Sequence, residues 1–221
     1  MATAAIEAPP TFETFADVLD RLGGIPPDRV RLNPRPGTAT EADIIALWDR
    51  SDRTFELIDG VIVSKQMSYE AEFLAGTLLV LLRACIDPLN LGLVNGPAAS
   101  LRLFPGLVRA PDVSFVSWPR IPGGRMPKEP IPDLVPDLAV EVLRPSNTAR
   151  EMTLKRRHYF EAGVRLVWIV DPKRRTVAVY TGPDRPTRLD ASATLDGGDV
   201  LPGFALPLAG LFADLDRRAP G

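Results

Sequence analysis

A short apolar strand with a carboxylate at its centre constrains this chain more than any other stretch. Residues 138–142 read Leu-Ala-Val-Glu-Val, and their apolar alternation with β-branched side chains predicts a packed β-strand. An isolated carboxylate in such a strand is costly to bury, so Glu141 must be paired, protonated, exposed at an edge or bound to a metal ion. A salt bridge to a neighbouring arginine is one solution. We favour metal binding, with Glu56 and Asp112 supplying further carboxylates from two earlier strands.

Bulk properties limit the classes of protein to consider. The chain has 221 residues, 45% of them hydrophobic, which is enough for one large domain with a substantial core. The formal net charge of −2 gives no global sign of a polyanionic partner, so any contact with nucleic acid has to rest on local basic clusters. The single cysteine, Cys85, excludes an intrachain disulfide and a zinc site built from several cysteines.

Periodicity and turn signals predict an α/β fold with a mixed β-sheet flanked by helices. Residues 1–50 are expected to form an N-terminal helical extension, with helices over 12–22 and 40–48, and residues 51–221 a main domain with a C-terminal β extension, all in one compact unit. A hairpin is expected over 54–64 around Asp59-Gly60. Helices are expected over 68–86 and 148–163, and strands over 92–104, 107–118, 165–171 and 176–181.

The N-terminal residues and the apolar runs predict the location of the protein. Residues 1–10 lack the basic and apolar regions of a secretory signal. The apolar run around 78–82 is too short to span a bilayer. We therefore expect a cytoplasmic protein with no membrane association.

A lysine on the inward face of a predicted helix links the acidic residues. At 100° per residue from Thr148, Lys155 and Tyr159 fall in one arc, on the side opposite Arg157. Because this helix directly follows the Glu141 strand, the Lys155 amine can reach the Glu141 carboxylate. The alternative is that the amine extends along its stem to solvent.

Taken one at a time, the other acids have ordinary interpretations as well. Asp112 follows Pro111 at the start of a strand, where Asp is common, and Glu56 could face solvent on an edge hairpin.

Together, three carboxylates and an inward lysine are typical of phosphodiester hydrolysis. Clustered carboxylates repel one another unless a hard cation such as Mg²⁺ neutralises them. The metal then polarises the phosphoryl group, and the lysine orients water or stabilises developing charge.

The sequence lacks the motifs that other common enzyme chemistries require. His158 is the only histidine, so a Ser-His-Asp triad would have to depend on it. The sequence contains no Walker loop, no glycine-rich dinucleotide turn and no Gly-x-Ser-x-Gly elbow.

An ordered set of segments resembles a known family. These are Phe55-Glu56-Leu57-Ile58-Asp59-Gly60, Pro111-Asp112-Val113-Ser114-Phe115-Val116, Pro136-Asp137-Leu138-Ala139-Val140-Glu141-Val142-Leu143, then Lys155, Tyr159 and Ala162-Gly163-Val164, and finally Trp168-Ile169-Val170-Asp171-Pro172. Over roughly residues 50–182 the chain is similar to the putative restriction endonuclease family of the PD-(D/E)XK nuclease superfamily. The resemblance implies a restriction endonuclease-like core, Mg²⁺-dependent endonuclease chemistry with Mn²⁺ as a substitute ion, DNA as partner and a homodimer.

The resemblance also assigns roles to individual residues. Asp112 and Glu141 resemble the metal-binding pair, Glu56 an additional acid, and Lys155 a catalytic lysine carried by the following helix. Leu143 stands where the superfamily usually has a lysine, and Ala71 lies nearest to where family members often have a histidine.

These departures keep two alternatives open. One is a catalytically inactive nucleic-acid- or protein-binding module on the same fold, and the other is a hydrolase acting on a smaller phosphoester. Phosphate contacts are possible for several basic residues, although solvated surface charge explains them equally well: Arg144, Arg150, Arg156, Arg157 and Lys173-Arg174-Arg175.

Overall fold

A computed structural model describes residues 11–66, 68–216 and 218. Residues 1–10, where no secretory signal is expected, lie outside the described residues. The expected α/β architecture with a mixed sheet and flanking helices is confirmed. Within the described part of the chain, no helix is long and apolar enough to cross a membrane.

Within residues 11–66 and 68–216, twelve strands form three sheets. A four-stranded sheet has the order β2-β1-β5-β4, a six-stranded sheet the order β10-β9-β8-β7-β6-β3, and β11 and β12 form a separate hairpin. Only the β7–β8 pair is parallel among the described strand pairs. The strands are β1 Phe55–Ile58, β2 Val61–Ser64, β3 Gly92–Asn95, β4 Leu101–Phe104, β5 Leu107–Arg109, β6 Val113–Ser117, β7 Leu138–Val142, β8 Leu166–Asp171, β9 Thr176–Tyr180, β10 Pro186–Asp190, β11 Thr194–Gly197 and β12 Leu201–Pro207.

In the described part of the chain five α-helices flank these sheets, and their ends follow local capping chemistry. They are α1 Phe15–Arg21, α2 Glu41–Trp48, α3 Tyr69–Ile86, α4 Ala149–Ala162 and α5 Leu208–Ala213. Thr148 caps α4 by accepting a hydrogen bond from the Glu151 amide, and Gly163 ends the helix at φ 97°, a backbone conformation that glycine adopts at little cost. The first helix is three residues shorter at its start than expected, because Thr14 and Asp17 form a capping box there.

The chain passes from one sheet to the other through Ala110-Pro111-Asp112. These three residues separate β5 of the four-stranded sheet from β6 of the six-stranded sheet. The bend is completely buried, so its polar groups need partners within the protein. The junction between the two sheets is therefore where charged side chains from both can meet.

The six-stranded sheet is covered differently on its two faces. Helix α3 packs one apolar cluster against Val140, Val142 and Trp168. Helix α4 lies against the other face, where Ala139, Met152 and Tyr159 join a second cluster. The N-terminal segment contributes Val18, Leu22, Ile25 and Val30 to this second cluster.

Candidate active site

Strand pairing places Asp112 beside Glu141. Strands β6 and β7 are antiparallel with Val113 opposite Val140, and Asp112 directly precedes β6, at the end of this strand pair where Glu141 lies. The Asp112 amide donates to Val140 O at 2.9 Å, and Asp112 Oδ2 accepts from the Val142 amide at 2.8 Å. The two carboxylates therefore lie at the same end of the β6–β7 pair, and both are buried.

A second strand pairing places Glu56 beside Arg109. Strands β1 and β5 pair with Leu57 opposite Val108, so the next position puts Glu56 opposite Arg109. Arg109 Nη1 donates to Glu56 Oε2 at 2.9 Å, and the Ala110 amide donates to Glu56 Oε1 at 3.3 Å. The four-stranded sheet thus presents an ion pair at the junction.

Lys155 connects the two sheets. Its Nζ donates to Glu56 Oε1 at 3.0 Å and to both carboxylate oxygens of Glu141 at 3.2 Å. Lys155 is 2% exposed, so the amine reaches the carboxylates as the arc on α4 predicts and does not extend to solvent. The structure thus brings Glu56, Glu141 and Lys155 into direct contact.

Other side chains of α4 complete this half of the site. The Tyr159 hydroxyl donates to Glu141 Oε1 at 2.6 Å. The nitrogen Nδ1 of His158 lies 2.7 Å from Arg109 Nη2. Because arginine can only donate, His158 Nδ1 accepts this hydrogen bond and the ring is neutral.

Asp112 has its own set of cations. Lys65, directly after β2, donates from Nζ to Asp112 Oδ1 at 2.7 Å and also to Ala110 O. Arg144 Nη2 donates to Asp112 Oδ1 at 2.8 Å and to Glu72 Oε1 on α3 at 3.0 Å. Asp112 therefore receives two cations and a backbone amide.

The positive and negative side chains around the junction balance one another. Each acid named here lies within 3.2 Å of a basic side chain. The acids are Glu56, Glu72, Asp112, Glu141 and Glu151, and the cations are Arg29, Lys65, Arg109, Arg144 and Lys155. Burial of these carboxylates requires neutralising charge, for which the sequence predicts a metal ion. Lysine and arginine side chains already provide this charge, so burial alone does not require a metal.

Burial and pairing also shift the pKa values. Burial raises the pKa of Asp112, but Lys65 and Arg144 outweigh this and lower it to about 2. Burial likewise acts against the charged form of Glu56, yet Lys155 and Arg109 hold its pKa well below the ordinary range. Burial lowers the pKa of Lys155, whereas Glu141 and Glu56 raise it, with a net increase. Glu56 and Asp112 are thus ionised and Lys155 is protonated at neutral pH.

Two further titratable side chains of α4, His158 and Tyr159, stay neutral. Burial, and then the positive charge of Arg109, lower the pKa of His158 to about 3. Burial and then the Glu141 carboxylate raise the pKa of Tyr159 well above its ordinary value. Tyr159 is therefore a hydrogen-bond donor to Glu141, and His158 is an acceptor.

The ligand atoms of Asp112 and Glu141 are of the type that a hard divalent cation prefers. Asp112 and Glu141 offer only oxygen atoms, and Mg²⁺ is commonly bound through one or two carboxylates with waters and substrate phosphates completing its shell. A cage of three or more acidic, histidine or cysteine ligands is not found among the described residues. The fit is thus to a two-carboxylate site, at which Asp112 is already in contact with Lys65 and Arg144.

Sequence reasoning missed three of the four cations that contact Glu56 and Asp112. Lys65 and Arg109 each follow or end a short strand and look like ordinary surface cations, and Arg144 was grouped with residues either available for phosphate contacts or solvated at the surface. Arg144 is not a solvated surface charge, since it is 8% exposed and held by Asp112 and Glu72. A signal existed for Arg109, because two paired strands that each carry one charge predict an ion pair across them.

The two departures from the family pattern have clear structural positions. Ala71 is buried among apolar residues against the α3 face of the sheet, and it is Glu72 that connects α3 to the centre. Leu143 packs against the other apolar cluster. Neither position therefore supplies a polar group to the site.

Comparisons with known proteins support the fold and then show the family. The fold is similar to a crystal structure described as a putative nuclease belonging to DUF820 from Anabaena variabilis, with a TM-score of 0.64 and 22% identity over 77% of this chain and 97% of that one. A sequence model of the Uma2 family, described as putative restriction endonuclease, matches residues 41–209. The chain belongs to this family. A search of curated proteins found no match.

Proposed function

We propose that this protein is a metal-dependent endonuclease that hydrolyses DNA phosphodiester bonds. The observation that carries the proposal is the junction itself, where Asp112 and Glu141 lie at the same end of the β6–β7 pair and Lys155 joins Glu141 to Glu56. Membership of a family described as putative restriction endonuclease adds support. Asp112 and Glu141 would hold Mg²⁺ or Mn²⁺, with Glu56 and Lys155 as the neighbouring catalytic pair.

The charges of the chain fit this reaction. A divalent cation bound at Asp112 and Glu141 would polarise the scissile phosphoryl group and lower the pKa of a bound water. Lys155 is protonated, so it stabilises negative charge and orients a nucleophile by donating hydrogen bonds. Glu56 holds the Lys155 amine in position, Arg109 in turn holds Glu56, and Tyr159 orients the Glu141 carboxylate.

The charge balance of the centre couples binding of the metal ion to binding of the substrate. The centre is balanced without a metal, so a divalent cation would leave an excess of two positive charges. A phosphodiester and a developing hydroxide would compensate this excess. Each ligand would therefore bind more strongly in the presence of the other.

Plasmid cleavage tests the proposal. Supercoiled DNA is incubated with the protein and Mg²⁺, Mn²⁺ or a chelator, and nicked and linear products are quantified. Glu141→Gln and Asp112→Asn variants, verified as folded by circular dichroism, should lose cleavage, and Glu161→Gln on the exposed side of α4 should retain it. Absence of cleavage with either metal by the folded wild type contradicts the proposal.

A non-catalytic nucleic-acid- or protein-binding module on the same fold is the second candidate. It is favoured by the complete pairing of the carboxylates with lysine and arginine, which stabilises the centre without a metal. Calorimetry separates the two functions. Failure to bind Mg²⁺ or Mn²⁺ at millimolar concentration, together with salt-sensitive binding of DNA, supports the module.

A homodimer belongs to the same proposal. Tyr69 and Val80 on the outer side of α3 are large side chains that are 91% and 66% exposed, and exposed apolar surface of this kind is common at interfaces. Sedimentation equilibrium measures the mass in solution. A variant carrying Val80→Glu should shift the equilibrium towards monomer if α3 forms the interface.

A further inference from the structure

We infer that the Lys65 ammonium occupies the divalent-cation position at Asp112, so that metal binding and the Lys65–Asp112 ion pair exclude each other. This inference deepens the proposed function and rests on it. It assigns to Lys65, a residue outside the predicted catalytic set, control over metal affinity.

The surroundings of the Lys65 ammonium are those of a small cation site. Nζ contacts one carboxylate oxygen of Asp112 and one main-chain oxygen, that of Ala110. Carboxylate and backbone carbonyl oxygens are the ligands that bind hard divalent ions in proteins. Lys65 is 4% exposed, so the contact is a buried one rather than a screened surface pair.

Position in the sheets places this site next to Glu141. Ala110 and Asp112 belong to the bend that joins the two sheets, and Asp112 directly precedes β6 at the end of the β6–β7 pair where Glu141 lies. An ion bound by both carboxylates would have to contact Asp112, where Lys65 now donates. Lys65 and Arg144 already share Asp112 Oδ1, so a divalent ion there would add a third positive group and would be strongly repelled in the buried site while Lys65 stays.

Lys65 is better suited to leave than Arg144, the other cation on Asp112. Arg144 contacts both oxygens of Asp112, at 2.8 and 3.4 Å, and also holds Glu72. The hydrogen-bond partners of Lys65 Nζ are Asp112 and Ala110. Its backbone is fixed by a 2.9 Å hydrogen bond from its amide to Thr54 O, so the flexible four-carbon stem is the part that can move.

The consequence is a site that is stable both with and without metal. Without the ion, Lys65 neutralises Asp112 and prevents repulsion between neighbouring carboxylates. With the ion, the ammonium moves away and its charge becomes available to an anionic ligand. Metal affinity in the wild type is therefore weakened by competition with a cation that belongs to the chain itself.

Calorimetric titration with Mn²⁺ tests the competition directly. Wild type and Lys65→Met are compared, with Lys128→Met, an exposed lysine, as the matched control. We expect Lys65→Met to bind Mn²⁺ about tenfold more tightly or better, because a competing charge next to the ion is removed, and Lys128→Met to bind like wild type. Unchanged or weaker binding in a folded Lys65→Met variant overturns the inference.

A second measurement uses the unmodified chain. Lysine acetylation followed by mass spectrometry should show Lys65 protected without metal and at least severalfold more reactive with saturating Mg²⁺, while Lys155 stays protected in both. Metal binding by the wild type with Lys65 still protected overturns the inference and leaves the proposed nuclease intact. Binding by Lys65→Met alone supports the inference and contradicts a metal-dependent wild-type enzyme. Binding by neither variant nor wild type overturns both.

Discussion

The two faces of strand β7 are equally buried and are held by different forces. On one face Leu138, Val140 and Val142 are fully buried against the cluster that includes α3. On the other, Glu141 contacts Lys155 and Tyr159 of α4. Hydrophobic burial is non-directional and tolerates loss of part of a side chain. A buried ionic face depends on every partner, because removing one leaves an uncompensated charge.

The largest effect should come from breaking the ionic face. Lys155→Met leaves Glu56 and Glu141 without their shared cation, so we expect a loss of about 3–5 kcal/mol in the free energy of unfolding. DNA cleavage by the remaining folded protein should also be lost. Urea denaturation measures the stability, and Arg157→Met on the exposed side of the same helix should change it by less than about 0.5 kcal/mol. A loss below about 1 kcal/mol for Lys155→Met would show that the pairing is unimportant.

Truncating an apolar side chain on the α3 face should lower the stability of the fold without changing DNA cleavage. Leu78 of α3 is fully buried, and Leu78→Ala should destabilise the protein by about 2–5 kcal/mol through lost burial and a cavity. Cleavage per folded molecule should be unchanged below the unfolding transition. A specific loss of cleavage in this variant would mean that the two faces are coupled.

Removing a neutral donor from the ionic face should have an intermediate effect. Tyr159→Phe deletes the hydroxyl that lies 2.6 Å from Glu141 Oε1. Hydrogen bonds to charged groups contribute about 1.5–3 kcal/mol, and Lys155 remains to balance the carboxylate. Thermal unfolding at several denaturant concentrations measures the change. Stability equal to wild type would indicate that water replaces the hydroxyl.

The pH dependence of stability should report on the neutral histidine beside Arg109. The folded-state pKa of His158 is lowered to about 3, whereas an unfolded histidine titrates near 6.5. The unfolded chain therefore takes up a proton first, so the contribution of His158 is complete above about pH 6.5 and is lost as pH falls towards 3. His158 is the only histidine, and Asp112, with a pKa of about 2, begins to matter below about pH 4.

Glu56 and Glu151 also have lowered pKa values in the folded protein, and they begin to contribute below about pH 5.5. Between about pH 6.5 and 5.5 the slope thus belongs to His158, and it approaches about 1.4 kcal/mol per pH unit for one proton. His158→Gln should flatten it. An identical slope in wild type and variant would place the proton uptake elsewhere.

The smallest effect should come from an ion pair at the surface. Arg150 and Asp20 lie 2.8 Å apart with side chains that are 66% and 71% exposed. Water screens such pairs, so Asp20→Asn should change the free energy of unfolding by less than about 1 kcal/mol. A value close to that of Lys155→Met would remove the contrast between buried and exposed charge on α4.

The sequence contained much of the fold because local signals and tertiary packing agree. The Glu141 strand, the Asp59-Gly60 hairpin and the α3 and α4 helices all carry strong periodicity or turn signals, and each forms. The inward position of Lys155 followed from helical geometry alone. The start of α1 was misplaced because two threonines, Thr11 and Thr14, could each cap it and only Thr14 has Asp17 three residues later.

The partners of the acids were harder to predict, because they depend on which strands pair. Glu56 meets Arg109, and Asp112 meets Lys65, across 53 and 47 residues of sequence. An isolated lysine after a strand is normally solvated, so nothing local distinguishes Lys65 from Lys128. Without these partners, metal binding was favoured over a salt bridge as the source of neutralising charge.

An anomalous-difference map from crystals grown with Mn²⁺ tests the proposed metal site most directly. We predict a peak in contact with the carboxylates of Asp112 and Glu141, with the Lys65 ammonium displaced from Asp112. A map with no peak at these carboxylates at millimolar Mn²⁺, and with Lys65 still bound to Asp112, would contradict the proposal that this junction is a metal-dependent nuclease site.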